Sequence, residues 1–334
     1  MLELEGVTKI YGSKKAIDNI CFSLGDNEIL GFLGPNGAGK TTTMNIIAGY
    51  TSSTSGSVKL NGYEILEDPI NFKKQIGYLP ERPPLYPEMI VKAYLSFMFD
   101  LKKIPLPKKD HIDEVCSLTG ITAVQNRIIK NLSKGFQQRV GLAQAILGNP
   151  KMIILDEPTA GLDPRQIQEV RDLIKEMGKR CSVIFSSHIL QEIQAVCRRI
   201  IIINNGKLIA DDTPQRLSAM SGGNSLLLCI EAQPGGAQPC EEITAGKLLE
   251  QIAALPGLKS AKSAGSPEPG AFEFLLEAEE GADIRRDLFK LLAKKGWPIL
   301  SLRKSGVSLE DAFLRLTAGE DSSELFALFN KGAA

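Results

Sequence analysis

The run Gly34-Pro35-Asn36-Gly37-Ala38-Gly39-Lys40-Thr41 fits G-x-x-x-x-G-K-[ST] at every fixed position. Glycines in such a run let the backbone curl until several N–H groups point at one anion, and a following helix adds the positive end of its dipole. Lys40 would reach the β- and γ-phosphates of a nucleoside triphosphate as a point charge, and the Thr41 hydroxyl would ligate Mg²⁺. A second chemical cluster closes the apolar run Met152-Ile153-Ile154-Leu155. Asp156 is placed there to hold the Mg²⁺ shell, and Glu157 to take a proton from an attacking water.

Both clusters need strands to hold them. Glu28 to Leu33 reads as a short buried strand and Thr42 to Ala48 as a helix, the context a phosphate loop demands. An apolar run ending in an acid is what a central strand of a parallel sheet looks like when its C-terminal tip carries chemistry. Ser182 to Ser186 is another such strand, followed by His188. Ser133 reads as the N-cap of a helix over Phe136 to Leu147, whose N-terminus could face a phosphate.

With these motifs in this order, residues 1–220 resemble the nucleotide-binding subunits of ATP-binding cassette (ABC) transporters. Gly34 to Thr42, including Thr42 itself, is similar to the Walker A loop, and Leu132-Ser133-Lys134-Gly135-Phe136-Gln137-Gln138-Arg139 to the family signature. Walker B ends at Asp156 and Glu157, and Gly161-Leu162-Asp163-Pro164 resembles the D-loop. The resemblance implies that Tyr11 stacks on adenine and that His188 is the switch histidine. It implies ATP and Mg²⁺ as ligands, with Gly37, Gly39, Lys40, Thr41, Thr42 and Asp156 binding them and Glu157 activating water. It also implies two cassettes packed head to tail, as a homodimer or a heterodimer. Ser133 and Gly135 of one copy then face the nucleotide on Lys40 of the other, and closure moves integral-membrane permease subunits.

The expected fold is α/β: a P-loop cassette with a mixed, largely parallel sheet and a helical subdomain over about 85–150, then a small ferredoxin-like α+β domain over 225–317 and a tail over 318–334. A break is read at Ser221-Gly222-Gly223-Asn224. The second part carries strands at Ser225 to Glu231, Leu258 to Ser263, Phe272 to Leu276 and Trp297 to Leu302. Helices fall at Ala245 to Leu255 and around Ile284, Leu288, Leu291 and Leu292, a β-α-β-β-α-β order. Ser308 to Leu316 reads as a closing helix, equally compatible with a stabilising appendage and with a regulatory or dimer-bridging element. His111 is given no role.

Composition agrees with a cytosolic enzyme, and the resemblance implies one held peripherally on the inner face of the membrane through the permease. With 39 basic and 39 acidic residues there is no bulk charge to attract nucleic acid or anionic lipid. No apolar run has the length to cross a bilayer, and Met1-Leu2-Glu3-Leu4-Glu5 lacks a basic start like that of a signal peptide. Six cysteines without C-x-x-C spacing read as reduced structural thiols. A soluble cassette ATPase acting on ribosomes or DNA is the alternative function. It is disfavoured by the lone Walker A loop and the absence of sustained heptads, and a GTPase by the absence of N-K-x-D.

Two positions depart from the family pattern, in ways similar to the bacterial exporter branch with its gliding-motility-associated and multidrug-type ATPases. Lys134 and Phe136 replace glycine and glutamine in the signature, and Lys134 would add a cation near the partner's phosphates. Glu81 stands where the family keeps a glutamine that touches Mg²⁺ and the attacking water. A carboxylate also ligates Mg²⁺ but brings a further negative charge toward the γ-phosphate. Glu81→Gln is therefore expected to leave an active ATPase that needs less Mg²⁺. A Mg²⁺ titration of hydrolysis checks this, and an unchanged midpoint removes Glu81 from the metal shell.

Overall fold

In the computed structural model, which describes residues 1–187, 189–221, 225–231, 245–267, 270–279, 282–304, 313 and 317, the apolar runs of the sequence become the middle of a parallel sheet. The contact pattern divides the chain into two units, Met1–Pro214 with Leu316–Ala334, and Gln215–Arg315. That division lies ahead of the Ser221 break read from sequence, whose residues 222–224 are outside the described set. The expected closing helix and tail also lie outside it, apart from Phe313 and Thr317.

The first unit begins with β1 (Leu2–Tyr11), β2 (Lys14–Leu24), β3 (Ile29–Leu33), α1 (Lys40–Ile47), β4 (Ser55–Leu60), β5 (Tyr63–Glu64), α2 (Pro69–Lys74) and β6 (Ile76–Leu79). Three helices follow, α3 (Val91–Leu101), α4 (Lys108–Leu118) and α5 (Lys134–Ile146). The chain then returns through β7 (Met152–Asp156), α6 (Pro164–Met177), β8 (Ser182–Ser186), α7 (Leu190–Val196), β9 (Arg199–Asn204) and β10 (Lys207–Asp212), and α8 (Pro214–Ser221) starts at the boundary and belongs to the second unit.

The main sheet has the order β10-β9-β3-β8-β7-β6, parallel from β9 to β6 with β10 antiparallel at its edge. Every residue of β7 and β8 is buried, which is why these strands read as unbroken apolar runs. A second sheet, β2-β1-β4-β5, alternates buried and open positions and closes over the main one. Leu4, Val7, Ile20, Met44, Ile154 and Ile201 belong to the shared core.

Helix α5 is buried on nearly all sides and meets β6 backbone to backbone at Gly77. A Cβ on Gly77 would sit 2.1 Å from the Ala145 carbonyl oxygen, so only glycine allows this contact. The carbonyl end of α5 has no basic residue of its own. Lys102 supplies the cation from outside, its Nζ donating to Gln144 O at 2.8 Å and Leu147 O at 3.5 Å. Burial there pulls the Lys102 ammonium down to about 8. His111, without a role in the sequence reading, is buried, and its Nε2 accepts the Gly148 N–H at 3.0 Å just past the same helix end.

Beyond α8, the second unit comprises β11 (Ser225–Glu231), α9 (Ala245–Ala253), β12 (Leu258–Gly265), β13 (Ala271–Ala278), α10 (Arg285–Lys295) and β14 (Ile299–Lys304). Its antiparallel sheet has the order β12-β13-β11-β14, the ferredoxin-like arrangement expected from β-α-β-β-α-β. Leu228, Ile230, Phe274 and Leu276 pack against Leu248 and Ile252 of α9 and Leu288 and Leu292 of α10, a core of the unit's own.

Gly77→Ala is expected to destabilise the first unit by about 1–3 kcal/mol, because the added methyl must part α5 from β6. Urea denaturation checks it as a lowered midpoint at constant slope.

Candidate active site

The loop after β3 adopts backbone angles that ordinary residues avoid, with Gly37 and Gly39 at φ of +79° and +112°. A Cβ on Gly39 would stand 2.9 Å from the Ala16 carbonyl oxygen, so the loop also fits closely under β2. At the start of α1, Thr43 Oγ1 donates to Gly39 O at 2.9 Å and ties the first turn to the loop. Lys40 is 7% exposed, its Nζ donating to Gly34 O at 2.6 Å and Pro35 O at 3.2 Å. Burial lowers its pKa from the ordinary lysine value, while the Glu157 and Asp156 carboxylates act to raise it. The ammonium is parked on loop carbonyls beside the acids, where a phosphate could take it over.

Asp156 ends β7 at 1% exposure, and Ser186 Oγ donates to its Oδ1 at 2.7 Å. The same Ser186 hydroxyl accepts the Glu157 N–H at 3.0 Å. Glu157 itself lies at φ +50°, a left-handed conformation that costs a non-glycine residue roughly 1–2 kcal/mol. That kink turns the chain off the strand tip directly after Asp156, and the Ser186 bond holds it.

Tyr11, Asn36, Gly37, Gly39, Lys40, Thr41, Thr42, Glu81, Asp156 and Glu157 line one cavity of about 470 Å³. Gly34 and Pro35 lie behind it and hold Lys40, and Ala38 is buried in the loop. Ser133 and Gly135 do not line it. Ser133 caps α5, its Oγ accepting the Phe136 N–H at 3.4 Å, and Gly135 packs on Gln166 of α6. His188 lies outside the described residues. Sequence reading missed Lys14, Lys15, Ala16, Asn205 and Gly206, which also line the cavity. The turns between β1 and β2 and between β9 and β10 bring them in, and no motif marks them. The Lys134 ammonium lies over Gly161 of the same chain, where a Cβ would be 2.0 Å from Nζ.

Thr41, Glu81 and Asp156 offer oxygen donors around one space, which fits Mg²⁺ bound together with phosphates. The exposed Tyr11 ring, with Lys9 Nζ 5.1 Å from its centroid, offers a face at the cavity mouth on which a base could stack.

The family model described as ABC transporter matches residues 17–160. An uncharacterized ABC transporter ATP-binding protein of Bacillus subtilis, YxlF, is 33% identical over 95% of this chain and 99% of its own length. This chain belongs to the ABC transporter ATP-binding protein family. The lipopolysaccharide export system ATP-binding protein LptB of Haemophilus influenzae is 33% identical, over 65% of this chain and 92% of its own. A solved ATP-binding subunit of an ABC transporter superposes with a TM-score of 0.60 at 26% identity, covering 66% of this chain and 92% of that one. As an ABC ATPase, the chain binds and hydrolyses ATP.

Lys40→Ala removes the buried cation and is expected to weaken ATP binding about tenfold to a hundredfold, the worth of a hydrogen bond to a charged group. Titration with a fluorescent ATP analogue checks it, and tight binding by the variant takes Lys40 out of the phosphate site.

Proposed function

We propose that the chain is the ATP-hydrolysing subunit of an ABC-type membrane exporter, with Glu157 as the base that activates water. The observation that carries this reading is the meeting of Lys40, Thr41, Glu81, Asp156 and Glu157 around one cavity. Cation, metal ligands and base there lie within reach of one triphosphate. Backbone N–H groups of the loop and Lys40 hold the phosphates, and Tyr11 stacks on the adenine. When bound with ATP, Mg²⁺ neutralises charge on the β- and γ-phosphates. Thr41, Asp156 and Glu81 hold it, while Glu157 accepts the proton of the water that attacks the γ-phosphate.

The cavity lacks any residue of α5, which supports a composite site. A second cassette lays the N-terminus of its own α5, with Ser133 and Gly135, against the bound ATP. ATP then binds the closed pair better than the open one and shifts the population toward closure. No described helix is long and apolar enough to cross a membrane. On this reading permease subunits provide the path, and the cassette pair works against them from the cytoplasmic face. The export role of LptB supports this direction of transport.

Glu157→Gln is expected to bind ATP normally while turnover falls about 10²- to 10⁴-fold, the usual worth of a general base. Affinity capture with this variant and ATP from detergent-solubilised native membranes should recover a multi-spanning protein. Recovery of ribosomal or DNA-bound proteins without a membrane subunit overturns the exporter assignment, and full hydrolysis by the variant moves the base elsewhere.

A further inference from the structure

Glu192 is 0% exposed and sits in the first turn of α7, away from the residues that line the nucleotide cavity. Its Oε2 accepts two hydroxyl hydrogen bonds, from Thr159 Oγ1 at 2.5 Å and from Ser187 Oγ at 2.8 Å. Its Oε1 has no hydrogen-bond partner among the described residues. A fully buried carboxylate is a costly way to fill space, and a leucine of similar size would carry no desolvation cost. What the carboxylate does that leucine cannot is receive donors from two separate loops at once.

Those loops are the ones that matter for hydrolysis. Thr159 lies two residues after Glu157, in the turn closed by Ala160 N–H donating to Glu157 O at 3.1 Å. Ser187 directly follows Ser186, whose hydroxyl holds both Asp156 and the Glu157 N–H. Ser187 Oγ also accepts the Ile189 N–H at 3.0 Å, and Glu192 N–H donates to Ile189 O at 3.1 Å, so the chain is pinned on both sides of position 188. We infer that Glu192 is a positioning residue for ATP hydrolysis: through Thr159 and Ser187 it holds the Glu157 turn and the chain at Ser187, just past β8, as one body. Its part is that of an acceptor shared by two loops, and it touches no reacting atom. The inference rests on the assignment of Glu157 as the base.

The test uses the full chain and reads kcat, KM, ATP-analogue affinity and thermal midpoint together. Glu192→Leu and Thr159→Val should each lower kcat about tenfold to a hundredfold, the scale set by sub-ångström misplacement of a reacting group, with nucleotide affinity within about twofold of the parent. Glu192→Gln keeps an acceptor oxygen and Thr159→Ser keeps the hydroxyl, so both should retain most of the turnover. Combining Thr159→Val with Ser187→Ala should cost less than the product of the single effects, because both act through one carboxylate. A fall in thermal midpoint with kcat unchanged gives Glu192 a purely structural role and overturns the inference. So does a Glu192→Gln variant as impaired as Glu192→Leu, which would mean that charge and not position is needed. Glu157→Gln assayed in parallel separates the two failures. Full turnover by it overturns the base assignment and this inference together. Its loss of turnover beside an unaffected Glu192→Leu overturns the positioning alone.

Discussion

The pairing register of β3, β8 and β7 fixes where chemistry can occur in this chain. Ser186 stands opposite Phe32 on one side and Asp156 on the other, so the last residues of all three strands share one rim of the sheet. β6 joins in the same direction, with Leu79 opposite Leu155, and delivers Glu81 to that rim. Parallel pairing is what makes the tips coincide. Had β7 run the other way, its acids would face the opposite edge, some five residues from the phosphate loop. The arrangement also requires burial on both faces, and polar groups at the rim must find partners among themselves. Ser186 meets that need for Asp156 and for the backbone of Glu157 with a single hydroxyl.

Much of this was legible in the sequence because the physics concerned was local. A buried parallel strand must be apolar along its length, and the loop that cradles an anion must carry glycine where φ turns positive, as at Gly37 and Gly39. The ferredoxin-like unit was readable for the same reason, since periods near 2 and 3.6 alternate through residues 225–304 in one order. Contacts across the chain were not readable. Thr159 and Glu192 are 33 residues apart, and neither spacing nor residue type announces that their side chains meet. Lys134 is similar: its identity was plain, but its closeness to Gly161, 27 residues on, was not. His111 looked like one charge among many until the end of α5 was seen to need an acceptor there.

Likeness to YxlF runs through nearly the whole chain, whereas likeness to LptB covers 65% of it. The second unit has a core formed by its own sheet and helices, as an independently added module would. The residues that line the nucleotide cavity all belong to the first unit.

The buried ammonium of Lys102 and the ring of His111 grip the carbonyl end of α5, while Gly77 holds the helix flank against the sheet edge. Thirteen residues away, the other end of the helix presents Ser133. A helix of this length extends about 20 Å, so a tilt of only 5° about the gripped end would carry Ser133 through roughly 2 Å, more than half a hydrogen-bond length. Lys102, the C-cap of α3, and His111 of α4 stand at the gripped end, so those two helices bear on α5 at the end opposite Ser133.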